Sequence, residues 1–108
     1  MATTLIPVTV PPDAAARVAE LGMRREFERM LEHLKQTVPG LRAIVVELDE
    51  RANLWEEASL ILWTHRTDPG PGDDATDRKL RRWFVETFPP DVLRHVAHLS
   101  IYEVADGR

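Results

Sequence analysis

Apolar and polar positions alternate with different periods along the chain, and each change of period predicts a new element. Alternation over residues 3–10 is typical of a short strand, with Ile6, Val8 and Val10 on one side. Pro7 interrupts it, because proline cannot donate a ladder hydrogen bond, so the strand either starts its pairing after Pro7 or is lost from the sheet. Pro11, Pro12 and Asp13 then favour the start of a helix over residues 14–21.

The rest of the chain predicts two longer helices and three more strands. Apolar residues at helical spacing over residues 23–38 indicate one amphipathic helix, and Leu80, Trp83 and Phe84 belong to a second that ends before Pro89. The predicted strands are residues 41–48, 58–66 and 96–104. Residues 105–108 are predicted to be a frayed C-terminus.

This order of elements, β-α-β-β-α-β, resembles the ferredoxin-like split βαβ arrangement over nearly the whole chain, without a diagnostic motif. The resemblance implies an α+β fold with an antiparallel sheet and two helices on one face. With 108 residues, the chain is expected to form a single domain over residues 1–108. Loss of the first strand would instead leave a three-stranded α-β-β-α-β sheet. Neither fold selects a function.

The predicted strands are apolar on both faces, whereas a sheet backed by helices on one side normally has a polar second face. Two sets of far-face residues fit the sequence once Ile44, Val46, Leu48, Leu99 and Ile101 are assigned to the helices: Val45, Ile61 and Trp63, or Val45, Leu60 and Leu62. An exposed apolar face indicates association or ligand binding. Alternatively, loops or termini fold over it.

We therefore expect a protein-interaction or regulatory protein that associates through Val45, Ile61 and Trp63. Its partner would be a second copy of the chain or the other half of a small two-protein bacterial complex. Trp55 stands in an otherwise charged connection and is a candidate interface anchor, unless it lies back on its own hairpin.

Charge and composition restrict the partners. The chain has 14 Lys and Arg residues against 18 Asp and Glu residues, a formal charge of −4, and no cysteine. A net negative charge disfavours nucleic acid and anionic membranes as partners, and the lack of cysteine excludes disulfides, thiolate nucleophiles and cysteine zinc sites. With no signal-like start and no long apolar run, the sequence predicts a cytoplasmic protein.

A cofactor-free enzyme or ligand-binding protein, with a small molecule over the same sheet face, is the alternative function. His65, His98 and Tyr102 are weak catalytic candidates, because imidazoles titrate near neutrality and would stand beside an apolar floor if both histidines share the open face. No metal, cofactor or nucleotide motif accompanies them, so we predict neither a metal site nor a cofactor.

The densest basic cluster precedes two aromatic residues, Trp83 and Phe84. It consists of Arg78, Lys79, Arg81 and Arg82. Basic residues beside aromatics are a weak indication of RNA binding. The same pattern is expected of the solvent face of a helix whose aromatic residues are buried.

Overall fold

Four strands and four helices make up residues 6–50, 58–67 and 74–103, the part of the chain that the computed structural model describes. In chain order they are β1 (Val8–Thr9), α1 (Pro12–Leu21), α2 (Arg24–Thr37), β2 (Leu41–Asp49), β3 (Ser59–Thr67), α3 (Asp74–Thr87), α4 (Pro90–Leu93) and β4 (Val96–Glu103). The predicted helices and strands are therefore present, with α1 and α2 separate.

The strands form one mixed sheet in the order β1-β2-β3-β4. β1 pairs with β2 in parallel, β2 with β3 antiparallel, and β3 with β4 in parallel. The predicted antiparallel, ferredoxin-like sheet is therefore wrong: a split βαβ unit places another strand between its two parallel strands, whereas here the two strands of each unit are hydrogen-bonded directly. The three-stranded alternative is also wrong, since β1 joins the sheet.

Pro7 explains why β1 is so short. The Ile44 amide donates to the Pro7 carbonyl at 2.9 Å, so Pro7 contributes an acceptor to the ladder. Because Pro7 has no N–H to donate, regular pairing begins only at Val8, opposite Ile44, and includes only Val8 and Thr9.

Gly22 separates the first two helices. Its backbone is left-handed, with φ of 69°, and its N–H meets the carbonyls of Val18 and Ala19 at the end of α1. Glycine adopts this conformation without the steric cost that other residues pay. Met23 is buried immediately afterwards, and α2 starts at Arg24.

One apolar core lies between the helices and one face of the sheet. Its buried members are Ala14, Val18, Met23, Phe27, Met30, Leu34, Val38, Ile44, Val46, Leu60, Leu62, Leu80, Phe84 and Phe88. α1, α2 and α3 each contribute to it, so these helices share one face of the sheet. We call the opposite side, which carries alternate side chains of β2, β3 and β4, the open face.

Candidate functional site

The open face brings together three of the residues predicted to form an interface. Register places Val45 beside Trp63 on the neighbouring strand, and Trp63 beside Leu99 on the next. Ile61 and Ile101 lie on the same face because side chains alternate along a strand. Between the two sets left open by the sequence, the structure has Val45, Ile61 and Trp63 on the open face.

The assignment of Leu99 and Ile101 to the helix side is wrong, because both side chains lie on the open face. The polar residues His98 and Ser100 occupy the helix side instead, opposite Leu62 and Thr64 of β3 in register. Trp55, the fourth predicted interface residue, lies outside the described residues.

Trp63 covers the centre of the open face. Its indole N–H donates to the Glu47 carboxylate at 2.8 Å. Glu47 pairs in register with Ile61, two residues before Trp63, so this hydrogen bond runs diagonally from β3 to β2. Ile61 is only 7% exposed and Val45 is half-buried, so the centre of the face is less accessible than the sequence suggested.

The exposed apolar surface is greatest at β4, the edge strand. Leu99 is 44% exposed, Ile101 37% and Tyr102 42%. Tyr102 lies on the helix side of β4, where Val85 of α3 is 63% exposed. Apolar surface therefore continues around the sheet edge from one face to the other.

On the helix side, the buried hydroxyl of Thr64 joins β3 to β4. Its Oγ1 lies 3.0 Å from His98 Nε2, 2.9 Å from Ser100 Oγ and 3.3 Å from the Leu99 carbonyl oxygen. The carbonyl can only accept, so all three contacts are satisfied when Thr64 donates to Leu99 and both His98 and Ser100 donate to Thr64. This arrangement places a proton on Nε2 and leaves Nδ1 of His98 as an acceptor.

Burial lowers the pKa of His98 below 6.5, with Asp77 raising it and Arg66 lowering it to lesser extents. The imidazole lies against Phe84, with ring centroids 6.3 Å apart. His98 is therefore neutral near pH 7. The condition that His98 and His65 share the open face is not met, because His65 pairs with Ile101 on that face whereas His98 lies on the helix side.

A second polar contact ties the first turns of α3 to the sheet. Nη1 of the fully buried Arg66 lies 3.8 Å from Asp77 Oδ1, and the Tyr102 hydroxyl donates to Asp77 Oδ2 at 3.4 Å. The Arg66 guanidinium also lies 5.2 Å from the centroid of the Tyr102 ring. Sequence reasoning missed Arg66, although the alternation of Leu60, Leu62 and Thr64 places it on the same inner face.

A cavity of about 490 Å³ lies between α3 and β4. Its walls include Asp77, Arg81, Phe84, Val85, Leu93, Val96, His98, Ser100 and Tyr102. Tyr102 meets Asp77 whereas His98 meets Phe84, so the cavity is polar beside the first turns of α3 and apolar beside its later turns. Two of the three weak catalytic candidates, His98 and Tyr102, thus share a cavity on the helix side.

The predicted basic cluster lies on the exposed surface of α3, but its aromatic neighbours turn inward. Trp83 stacks on His33 of α2, with ring centroids 3.7 Å apart and planes at 2°, and Phe84 is buried. Neither ring is placed to stack on a base beside exposed Arg78, Lys79 and Arg82. Arg81 is exposed as well and differs from these residues in lining the cavity.

Comparison with protein-family models, curated protein sequences and solved structures finds no match to this chain. Within the described ranges, no three His, Asp or Glu side chains form a group that could hold a metal ion. No helix in the same ranges is long and apolar enough to cross a membrane.

Proposed function

We propose that this protein works by association, and that its contact surface is the edge strand β4. The position of the exposed apolar side chains carries this proposal. Leu99, Ile101 and Tyr102 are three of the four large apolar residues in the described ranges that are more than a third exposed, and all three lie on β4. Removing such side chains from water drives association.

The edge of β4 lacks the features that keep edge strands apart. β4 pairs with β3 in unbroken register along its eight residues, and its sequence contains no lysine, arginine or proline. The opposite edge is different, since β1 has two residues and follows Pro7. The one charged residue of β4 is Glu103, at its end. Long regular edges with little charge and no proline pair readily with a further strand through their outward peptide groups.

Strand addition accounts for the exposed surface better than packing on the open face alone. A partner resting on the open face would cover Leu99 and Ile101 but not Tyr102 and Val85, which lie on the helix side. A strand beside β4 contacts side chains on both sides. In this arrangement the Trp63 side chain lies on β3, one strand away from the contact.

We infer that the added strand is β4 of a second copy of the chain. Antiparallel pairing about a two-fold axis through Ser100 places Leu99 of one copy opposite Ile101 of the other on the open side. The same pairing places His98 opposite Tyr102 on the helix side, so β4 is complementary to itself. A contact of this length is small, and we expect a Kd in the micromolar range.

Multi-angle light scattering on a size-exclusion column tests the proposal at about 100 µM, where association with a Kd of about 10 µM is largely complete. We expect a dimer for the natural sequence and at least about half of the protein as monomer for Ile101→Lys, which places a strongly hydrated charge on the edge. Thr9→Lys is the matched control, because Thr9 is exposed and lies on the open face at the opposite edge. It should dimerise like the natural sequence.

A monomer at this concentration would contradict self-association and leave a different protein as the donor of the added strand. Equal dissociation by Ile101→Lys and Thr9→Lys would contradict the placement of the contact at β4. The expected weakening by Ile101→Lys is at least about tenfold in Kd, or 1.4 kcal/mol.

A further inference from the structure

We propose that the cavity between α3 and β4 binds a small monocarboxylic acid with an apolar body, whose carboxylate meets Arg81 and whose body contacts Phe84, Val85 and Val96. The cavity adjoins the proposed association surface and shares Val85, His98 and Tyr102 with it, whereas Ile101 lies on the open face and outside the cavity wall. Its volume, about 490 Å³, is within the range of sites that enclose small organic molecules.

The polar and apolar ends of the cavity require an amphipathic ligand. Phe84, Val85, Leu93 and Val96 offer an aliphatic and aromatic wall at one end. Arg81 also lines the cavity, one helical turn after Asp77 and one before Val85 on α3. A ligand that fills the cavity must therefore place its apolar body beside the later turns of α3 and its polar group beside Arg81.

The charge of that polar group follows from the contacts of Asp77 and Arg81. The Asp77 carboxylate is already engaged by the Arg66 guanidinium and the Tyr102 hydroxyl. Arg81 makes no ion pair within 4 Å in the described part of the chain. Its guanidinium can therefore donate hydrogen bonds to an anionic ligand. A carboxylate matches the planar, two-donor geometry of guanidinium.

The His98 and Ser100 side chains add no charge to the cavity wall. His98 is neutral, and its Nε2 is committed to Thr64. The Ser100 hydroxyl is committed to the same oxygen. Arg81 is therefore the cation in the cavity wall that selects the ligand.

Benzoate and benzyl alcohol are suitable probes, because they share an aromatic body and differ in the charged group. Titration of each into the 108-residue protein, followed by amide and imidazole NMR shifts, should place benzoate at Phe84, Val96 and His98, with a Kd of about 1 mM for a probe of this size. Benzyl alcohol should bind at least about tenfold more weakly, since it lacks the ion pair with Arg81.

Arg81→Gln should weaken benzoate about tenfold and leave benzyl alcohol unchanged, because only the acid uses the guanidinium. Arg82→Gln is the matched control, since Arg82 is adjacent, exposed and outside the cavity wall. Val85→Ser, at an exposed position on the apolar wall, should weaken both probes alike. These three results together would support the site.

Several results would overturn the proposal: equal binding of the acid and the alcohol, equal weakening by Arg81→Gln and Arg82→Gln, shifts confined to residues outside the cavity, or no shifts at about 20 mM benzoate. Repeating the titration with Ile101→Lys separates this site from the proposed association. Benzoate binding that survives in a monomeric Ile101→Lys variant supports the cavity whatever the oligomeric state, and loss of binding there would contradict an independent site.

Discussion

Thr64 and His98 are joined by a 3.0 Å hydrogen bond that crosses the parallel pair β3–β4 on the helix side of the sheet. The same Thr64 oxygen also contacts Ser100 and the Leu99 carbonyl. A single buried hydroxyl therefore fixes three consecutive residues of the edge strand. Of these, His98 and Ser100 belong to the wall of the cavity, and the Leu99 side chain belongs to the exposed apolar surface of the open face.

Thr64→Val should lower the free energy of unfolding by about 1–3 kcal/mol, because it leaves the His98 N–H and the Ser100 hydroxyl without their buried acceptor while nearly preserving volume. Urea unfolding followed by circular dichroism measures this loss. Thr9→Val is the control at an exposed strand position and should change stability by less than about 0.5 kcal/mol. Equal effects of the two substitutions would contradict the role assigned to the Thr64 hydroxyl.

Stability should decrease in mild acid through His98. Burial lowers its pKa below 6.5, so the unfolded chain takes up a proton at a higher pH than the folded protein does. The stabilisation is therefore fully present above about pH 6.5 and is lost as the pH falls from there to the lowered pKa. Burial also lowers the pKa of His33, so His33 likewise makes the protein less stable as the pH falls.

Urea unfolding between about pH 7.5 and 5 tests this expectation against the ordinary histidine pKa. His98→Gln should show a smaller loss of stability over this range than the natural sequence, and His33→Gln should reduce the loss independently. An unchanged pH dependence in His98→Gln would show that His98 takes up its proton equally in the folded and unfolded states.

Local sequence patterns predicted the elements but not their arrangement. The apolar spacing of α2 and the proline and glycine residues around α1 act within a few residues, so they can be read directly from the chain. Whether β1 lies beside β2 or is separated from it depends on how the helical connections cross the sheet. Short-range periodicity does not contain that information, and the ferredoxin-like prediction was wrong for this reason.

The candidate sites, like the fold, could be predicted only where local alternation decides which face a side chain lies on. Alternation along β3 grouped Ile61 with Trp63 but left open whether this pair, or Leu60 with Leu62, shares a face with Val45; the register of β2 and β3 decides it. Along β4, both alternating sets fit a sheet, and Leu99 and Ile101 are the more apolar set, so they were assigned to the core. The structure places the polar set on the helix side beside a cavity, where Thr64 contacts His98 and Ser100; the pattern of β4 does not reveal this long-range contact.

Gly22 provides a test of the junction between α1 and α2. A Cβ atom at Gly22 would meet no atom within 4 Å, so the cost of Gly22→Ala comes from the left-handed backbone and not from a clash. We expect a loss of about 1 kcal/mol, and a smaller loss for Gly22→Asn, because asparagine tolerates this conformation better. Urea unfolding of both variants measures it. Equal stability of Gly22→Ala and the natural sequence would contradict the left-handed cap.

Trp63→Ala distinguishes contact at the edge from contact over the whole open face. Removing the indole uncovers part of the apolar face and breaks the bond to Glu47, so stability should fall by about 1–3 kcal/mol. Association through β4 should keep its Kd within about threefold, because Trp63 lies beside the contact and positions outside it are nearly neutral. Light scattering well below the unfolding temperature measures this. If Trp63→Ala dissociates the dimer as strongly as Ile101→Lys, the contact extends across the centre of the open face and strand addition is not its basis.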